Sequence, residues 1–388
     1  MAPTRHRPSV PVPARTGPSF ARGLWRIASA DVSSGNRVRL LNTGPEVFDE
    51  MEALIHGARE SVAMESYIFR SDDVGRRFAD ALVGAAKRGV RVRLLIDWVG
   101  ARGTSRAFLE ELRANGVALS LFSPPGFRRW LGLMPRDHRK LLVVDDTVGV
   151  TGGVGIGVEW MRGVATRRRS QWRDDAIRIE GPAATDMIQA FNKMWRLARG
   201  KPSRRRRLIR KRPSGAHLDP LTHERSLVGI IEGEPLRLRV ARALQMQAIA
   251  AERSIWIASA YFMPSWAEYE ALVGAARDGV DVRILVPSRT DHPWVTIVTR
   301  GYYQRLLKNG VRIWEWRGEM MHAKSSIVDG RWLRVGSTDY NALGVAINYE
   351  LDAIVEDAEI GRQAEDRFLD GLDQSHEITK RSRMVRRA

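Results

Sequence analysis

Apolar and polar positions change period repeatedly along this chain, and each change marks an element boundary. RVRLLN at 37–42 and SVAMESYIF at 61–69 alternate with period 2 and predict strands, with a helix over 46–59 between them. Residues 72–87 carry an apolar stripe at helical spacing that stops near Gly89, and 90–97 reads as the next strand. The same order returns later: SLVGIIEG at 226–233, a helix over 236–251, SIWIASAYF at 254–262, a helix over 265–277, and DVRILVP at 281–287. Strands and helices alternating at these lengths predict an α/β fold with its sheet covered on both faces.

The recurrence extends to sequence. ALVGAA stands at 81–86 and again at 271–276, and Asn115-Gly116-Val117 is echoed by Asn309-Gly310-Val311. HRKLLVVD presents His138, Lys140 and Asp145; HAKSSIVD presents His322, Lys324 and Asp329 in the same frame. A glycine-led turn follows each copy, Gly152-Gly153-Val154-Gly155 and Gly336-Ser337-Thr338-Asp339. Two duplicated domains are expected, at 36–200 and 223–376.

Composition narrows the class. A 388-residue chain with 44% hydrophobic residues can bury two cores. It has no cysteine, which removes disulfides and thiolate chemistry. No apolar run approaches the roughly 20 residues needed to cross a bilayer, and the N-terminus lacks a secretory signal pattern, so membrane contact is expected to be peripheral. The net charge of +18 is concentrated: residues 1–30 hold five arginines and no acid, 201–213 hold eight basic residues, and 380–388 hold five. These segments (a basic 1–35, a linker at 201–222 and a tail at 377–388) suit docking on a polyanionic surface, at about 1 kcal/mol per basic residue near an anionic leaflet. As solvated tails they would need no partner.

Two further segments have two readings each. Phe20, Leu24, Trp25 and Ile27 lie at helical spacing with Arg22 and Arg26 between them, as in an interfacial helix or a helix packed on the body. FSPPGFRRWLGLMPRDH at 122–138 mixes aromatic, apolar and basic residues just before the first motif and has no counterpart in the second half. It suits either lipid headgroups or a loop folded on the other domain.

Strand parity puts His138 and Lys140 on one surface, and likewise His322 and Lys324. Two imidazoles and two ammonium groups brought together suit a phosphate diester. Lysines neutralise non-bridging oxygens, one imidazole attacks phosphorus, and the other protonates the leaving alkoxide, without a metal or other cofactor. Asp145 and Asp329 fall on the opposite parity at strand ends, where a carboxylate braces the turn more readily than it meets substrate. A lone His-x-Lys would be read as a solvated pair; its duplication points to a site.

Over about residues 36–376 the chain resembles the phospholipase D superfamily, and within it the bacterial cardiolipin synthases. The paired motifs carry the resemblance, with WRDDAIRIEG at 172–181, AYFMPS at 260–265 and the Glu350 that ends GSTDYNALGVAINYE. It implies two phospholipase D-like α/β domains, each a mixed sheet flanked by helices, packed around a shared active-site cleft. It also implies His138 as nucleophile and His322 as general acid, with Lys140, Lys324 and Ser337 holding phosphate. Asp174 and Glu350 would orient the histidines, with Asp175 an alternative to Asp174, and Asp145 and Asp329 complete the motif set.

The chain departs from the family at Gly155 and Asp339, where asparagine is usual; Asp339 would repel an anionic substrate unless Lys324 or Lys140 pairs with it. The resemblance implies a phosphatidyltransferase acting on phospholipid, peripheral on the cytoplasmic face of the bacterial inner membrane. A phospholipase D hydrolase releasing phosphatidic acid, a metal-independent nuclease and a non-catalytic membrane scaffold are the competing readings. Nucleic acid is disfavoured because no aromatics interleave the basic run at 201–213.

Overall fold

The computed structural model describes residues 18–30, 32–123, 135–161, 171–200, 226–380 and 382. Its first half contains α1 (Pro18–Ala28), β1 (Val32–Leu41), α2 (Gly44–Gly57), β2 (Ser61–Ser66), α3 (Asp73–Lys87), β3 (Arg91–Asp97), α4 (Arg106–Ala114), β4 (Ala118–Phe122), β5 (Lys140–Val144), β6 (Val148–Gly152), β7 (Ala176–Glu180) and α5 (Ala183–Ala198). The second contains β8 (Ser226–Gly233), α6 (Arg239–Ala250), β9 (Ser254–Ser259), α7 (Trp266–Arg277), β10 (Asp281–Pro287), α8 (Pro293–Lys308), β11 (Arg312–Trp316), β12 (Lys324–Val328), β13 (Trp332–Gly336), α9 (Ala342–Ile347), β14 (Glu350–Glu356), α10 (Ala358–Asp373) and β15 (Ser375–Ile378).

Among the described residues the strands make one 15-stranded sheet, β15-β11-β10-β9-β12-β13-β14-β8-β1-β7-β6-β5-β2-β3-β4. The order of the first half, β1-β7-β6-β5-β2-β3-β4, is mirrored by β8-β14-β13-β12-β9-β10-β11. In each half three strands are parallel (β2, β3, β4; β9, β10, β11) and the remainder antiparallel, so the sheet is mixed.

The seam is β1 against β8. It begins Val32↔Gly229 and Ser33↔Val228, then slips register before Asn36↔Ser226. Gly35 supplies the slip with φ +82, a conformation that costs glycine little. Asn36 satisfies the buried bulge, its amide donating to the Ser33 carbonyl at 2.8 Å and its Oδ1 accepting from the Ala183 N–H at 2.9 Å. The strand expected at 37–42 therefore starts earlier, at Val32. SSGN reads locally as a turn, and pairing with β8 overrides it.

The halves also share a core. Leu95, Leu141, Met187 and Phe191 of the first half belong to one buried cluster with Trp256, Leu333, Leu351 and Phe368 of the second. α5 and α10 pack in it, α5 reaching β8 and α10 reaching β1. Separate cores lie under the outer helices of each half. Leu24 of α1 is buried among Val240, Leu244 and Ala28, so α1 is packed on the body, and the interfacial-helix reading is corrected. The basic linker at 201–222, nearly all of the tail at 377–388 that is basic, and residues 124–134 of the aromatic insertion lie outside the described residues.

Candidate active site

Both motifs open at the same end of the sheet. Lys140 pairs with Ser66 and Lys324 with Ser259, which places the histidine–lysine pairs at the carboxyl ends of the parallel strands, where α/β folds gather ligands. Alternation holds through the motif. Arg139, between His138 and Lys140, is fully buried on the other face, donating to Glu232 at 3.2 Å and to the Ala190 carbonyl at 3.3 Å.

Each histidine is completed by the opposite lobe. The His138 N–H donates to the Tyr349 carbonyl at 2.9 Å, and the His138 Nδ1 lies 3.1 Å from both carboxylate oxygens of Glu350, the next residue. The His322 N–H donates to the Arg173 carbonyl at 2.7 Å, and its Nδ1 lies 2.8 Å from Oδ2 of Asp174, again the next residue. Isolated bridges Asp137↔Tyr349 and Arg173↔Met321 run beside these bonds. With each Nδ1–H directed at a carboxylate, each imidazole presents Nε2 as its free nitrogen.

The four basic groups share one electrostatic site. Burial, then Lys140 and Lys324, pushes the His138 pKa well below its usual value; burial, then Lys324 and Lys140, does the same to His322. Burial and the ammonium neighbours thus favour the uncharged form of both rings. Burial, then the neighbouring Lys324 charge, brings Lys140 down to about 7. Burial raises Asp174 and Glu350 each to about 7, against the pull of the lysines. The lysine side chains are tethered alike, Lys140 Nζ donating to the His138 carbonyl and Lys324 Nζ to the His322 carbonyl, each at 2.7 Å.

Several expected residues are found in other roles. Ser337, expected to hold phosphate, spends its hydroxyl on Glu350 Oε2 and accepts from the Leu351 N–H at 3.0 Å, so it braces a carboxylate. The equivalent of Ser337 in the first half is Gly153, where a Cβ would lie 2.1 Å from Oδ1 of Asp174. That carboxylate fills the space of the missing side chain. Its brace comes instead from the Trp160 indole, which donates to Asp174 Oδ2 at 2.9 Å. Asp175 is not interchangeable with Asp174: its Oδ2 takes the Ser325 hydroxyl at 2.7 Å.

Asp145 and Asp329 sit at the far ends of β5 and β12, away from the histidines. Asp145 accepts backbone N–H groups of Arg59, Glu60 and Ser61, and Asp329 those of Glu252, Arg253 and Ser254. Their inclusion in the catalytic set is corrected: they pin a turn to the start of the neighbouring strand, as parity indicates.

The two family departures have local causes. A Cβ at Gly155 would stand 2.8 Å from the Trp160 ring and 3.1 Å from Ile68, so the indole that braces Asp174 excludes an asparagine. Asp339 is paired: Lys324 Nζ lies 3.4 Å away, and its Oδ1 accepts from the Ser259 hydroxyl and the Tyr261 N–H.

Four aromatic residues escaped the sequence reading. Tyr67 is edge-on to His138 at 5.1 Å with Lys140 Nζ 5.5 Å from its ring centre, and Tyr261 is edge-on to His322 at 6.2 Å with Lys324 Nζ at 5.6 Å. Both follow the ends of the repeated strands β2 and β9, a correspondence the duplication carried. Trp160 and Trp172 flank His322 at 5.7 and 5.6 Å. Trp172 lies in the WRD pattern; Trp160 has no equivalent in the second half to betray it.

A two-lobed α/β body with one histidine–lysine pair per lobe and carboxylates exchanged between lobes defines a duplicated phosphodiester-handling fold. The sequence matches the model of the cardiolipin synthase phospholipase D-like domain over residues 51–195 and 246–371. Cardiolipin synthase of Geobacillus sp. (strain WCH70) is 32% identical over 357 residues, covering 91% of this chain and 69% of that protein. Cardiolipin synthase of Listeria monocytogenes serotype 4a (strain HCC23) is 30% identical, covering 90% and 72%. A third, from Geobacillus kaustophilus (strain HTA426), is 33% identical, covering 86% and 66%. The chain belongs to the cardiolipin synthase family of phospholipase D-like proteins, and it spans about two thirds of the length of these relatives. Among solved structures, phosphatidylserine synthase of Haemophilus influenzae Rd KW20 superposes with a TM-score of 0.71 at 14% identity, covering 92% of both chains, a likeness of fold.

Proposed function

We propose that this protein is a phosphatidyltransferase of the cardiolipin synthase type, moving a phosphatidyl group from a phospholipid to an alcohol through a phosphohistidine. The reciprocal exchange of carboxylates carries the reading, because it commits Nδ1 of each imidazole to a carboxylate and leaves both Nε2 atoms for the reaction. His138 is the nucleophile: its side chain is 16% exposed against 6% for His322, so it is the ring more open to an incoming phosphorus. In its doubly protonated form His322 donates the Nε2 proton to the departing alkoxide, and as the free base it then accepts one from the acceptor hydroxyl. Glu350 and Asp174 stabilise the charged imidazole of each step, and Lys140 and Lys324 face the non-bridging oxygens. A positioned acid or base contributes about 10²- to 10⁴-fold.

Contact with the bilayer is peripheral in this reading. No described helix is long and apolar enough to cross a membrane. α8 exposes Trp294 at 54%, Ile297 at 74% and Val298 at 40%, while Val295, Thr299, Tyr303 and Leu306 face the core. An apolar outer stripe led by tryptophan suits the headgroup–acyl boundary. Asp291, just before α8, takes the Tyr261 hydroxyl at 2.6 Å, so the stripe begins one residue cluster from His322.

Incubation with phosphatidylglycerol vesicles, followed by mass spectrometry of the lipids, tests the transfer. Cardiolipin and free glycerol are expected; phosphatidic acid alone would identify a hydrolase, and an unaltered lipid pool would defeat the reading.

A further inference from the structure

The duplication that builds the two lobes breaks down directly beneath the histidines. Asp137 and Arg139 flank His138, where Met321 and Ala323 flank His322. On the adjoining strand, Glu65 of β2 stands opposite Leu141, in the place that Ala258 of β9 takes opposite Ser325. All six side chains are buried, and the bridges Asp137↔Tyr349 and Arg173↔Met321 put the two sets at equivalent places. One lobe fills this position with apolar side chains, while the other buries three ionisable groups at a cost in desolvation. Packing does not require the charges, since the second lobe closes without them.

Glu65 and Asp137 form a pair. Their carboxyl groups are in hydrogen-bond contact, yet among the described residues no N–H or O–H reaches either oxygen of Glu65 or Oδ2 of Asp137. Two carboxyl groups bond to each other only when one carries a proton. Burial, then the charge of Asp137, raises Glu65 well above the usual carboxylate range, so that proton is retained at neutral pH. The charges that face the pair are Arg139 on its own segment, Asp97 at the end of β3, and Glu232 of β8, which Lys193 of α5 binds at 3.1 Å.

Main chain joins the pair to the His138 ring. The Asp137 N–H donates to Asp97 Oδ2 at 2.9 Å, and the next N–H, that of His138, donates to the Tyr349 carbonyl. Glu350, which faces His138 Nδ1, follows Tyr349 directly. A turn of the Asp137 side chain is therefore transmitted to the contact between Nδ1 and Glu350.

We propose that Glu65 and Asp137 share one proton and act as positioning residues, locking the His138 segment so that Nε2 is aimed at phosphorus. Apolar contact, as under His322, holds a side chain in place without fixing its direction, whereas a hydrogen bond between two carboxyl groups fixes both. The His322 ring is gripped instead by Trp160 and Trp172. An attacking nitrogen needs such precision, because a misplacement of about 1 Å costs about 10²-fold. The aim at phosphorus rests on the phosphohistidine reading; the lock itself does not.

Spectroscopy tests the lock without turnover. Two low-field Nδ1–H proton resonances are expected, for His138 on Glu350 and His322 on Asp174, assigned with His138→Ala and His322→Ala. Glu65→Ala combined with Asp137→Met installs the second lobe's pair at nearly unchanged volume and should fold as stably as wild type. In that variant the His138 resonance should be lost to solvent exchange while the His322 resonance persists, and kcat for a soluble phosphodiester should fall at least ten-fold with KM unchanged. Glu65→Gln, whose amide donates to Asp137 in place of the shared proton, should keep the His138 resonance and at least half of the turnover. The infrared spectrum of wild type at neutral pH, minus that of Glu65→Gln, should contain the carbonyl band of a protonated carboxylic acid. An absent acid band, or a His138 resonance and kcat unaltered by the apolar pair, would overturn the lock. Failure of the apolar pair to fold would show a structural requirement and count equally against it. Loss of the His138 resonance in the apolar pair, in a protein whose wild type cleaves no phosphodiester, would support the lock while overturning the transferase reading.

Discussion

The backbone N–H of His322 donates to the carbonyl of Arg173 at 2.7 Å, across the lobe boundary and one residue before the carboxylate that faces the His322 ring. His138 and Tyr349 repeat the relationship at 2.9 Å. Main chain and side chain therefore fix each imidazole together, and neither lobe sets its own histidine.

Asp174→Asn and Glu350→Gln keep shape while removing the charge that supports an imidazolium. Each is expected to lower kcat by about 10²-fold or more with little change in KM, since the charge develops only as the ring takes a proton. Steady-state phosphodiester turnover, with circular dichroism to verify folding, checks this.

Trp160→Phe deletes the indole donor and retains most of the packing. Leaving Asp174 Oδ2 without that brace should cost about 1–3 kcal/mol in urea unfolding. Gly155→Asn, restoring the family residue, should be destabilising by a similar amount through overpacking against the indole. Equal stability of Gly155→Asn and wild type would remove the steric account.

The pH profile follows from opposed groups. Glu350 and Asp174, raised to about 7, lose their negative charge as pH falls through that value, and the imidazolium they support is disfavoured. Lys140, lowered to about 7, loses its positive charge as pH rises through the same value, and phosphate binding weakens. A narrow bell in kcat/KM centred near neutrality is expected for the free enzyme. Lys140→Arg should extend the alkaline limb, because guanidinium stays charged. An alkaline limb identical in Lys140→Arg and wild type would assign it to another group.

Asp145→Ala strips three backbone N–H groups of a shared acceptor. Unfolding free energy should drop by about 1–3 kcal/mol, with kcat retained near wild type at a temperature where the protein is folded. Loss of turnover without loss of stability would return Asp145 to the reacting centre.

Trp294→Ser with Ile297→Ser should reduce sedimentation with anionic vesicles several-fold, while hydrolysis of a soluble phosphodiester is unchanged. Residual binding that disappears with added salt would belong to the basic segments.

Much of this architecture was legible in the chain. β8 and β10 coincide with the apolar runs at 226–233 and 281–287, because buried strands announce themselves by composition and punctuation. Period-2 geometry put Lys140 beside His138, and opposite parity set Asp145 apart. The exchange of carboxylates was not legible, since His138 and Glu350 are 212 positions apart and no local period reports which lobe completes which ring. Ser337 shows another limit. Motif position says that a side chain is near the phosphate site, while the atom it bonds depends on the tertiary approach of Glu350. Trp160 was hidden for a third reason: it replaces a serine hydroxyl from a different place in the chain, so the repeat itself misdirects.

The β1–β8 seam makes the two halves of the chain depend on each other as they emerge. A nascent chain that has left the ribosome only as far as α5 presents β1 as an open edge, with the apolar side chains of α5 deprived of their second-half partners. It already owns His138 and Lys140, yet the carboxylate for that imidazole arrives with β14. The carboxylate set around the two imidazoles is therefore incomplete until translation has passed Glu350.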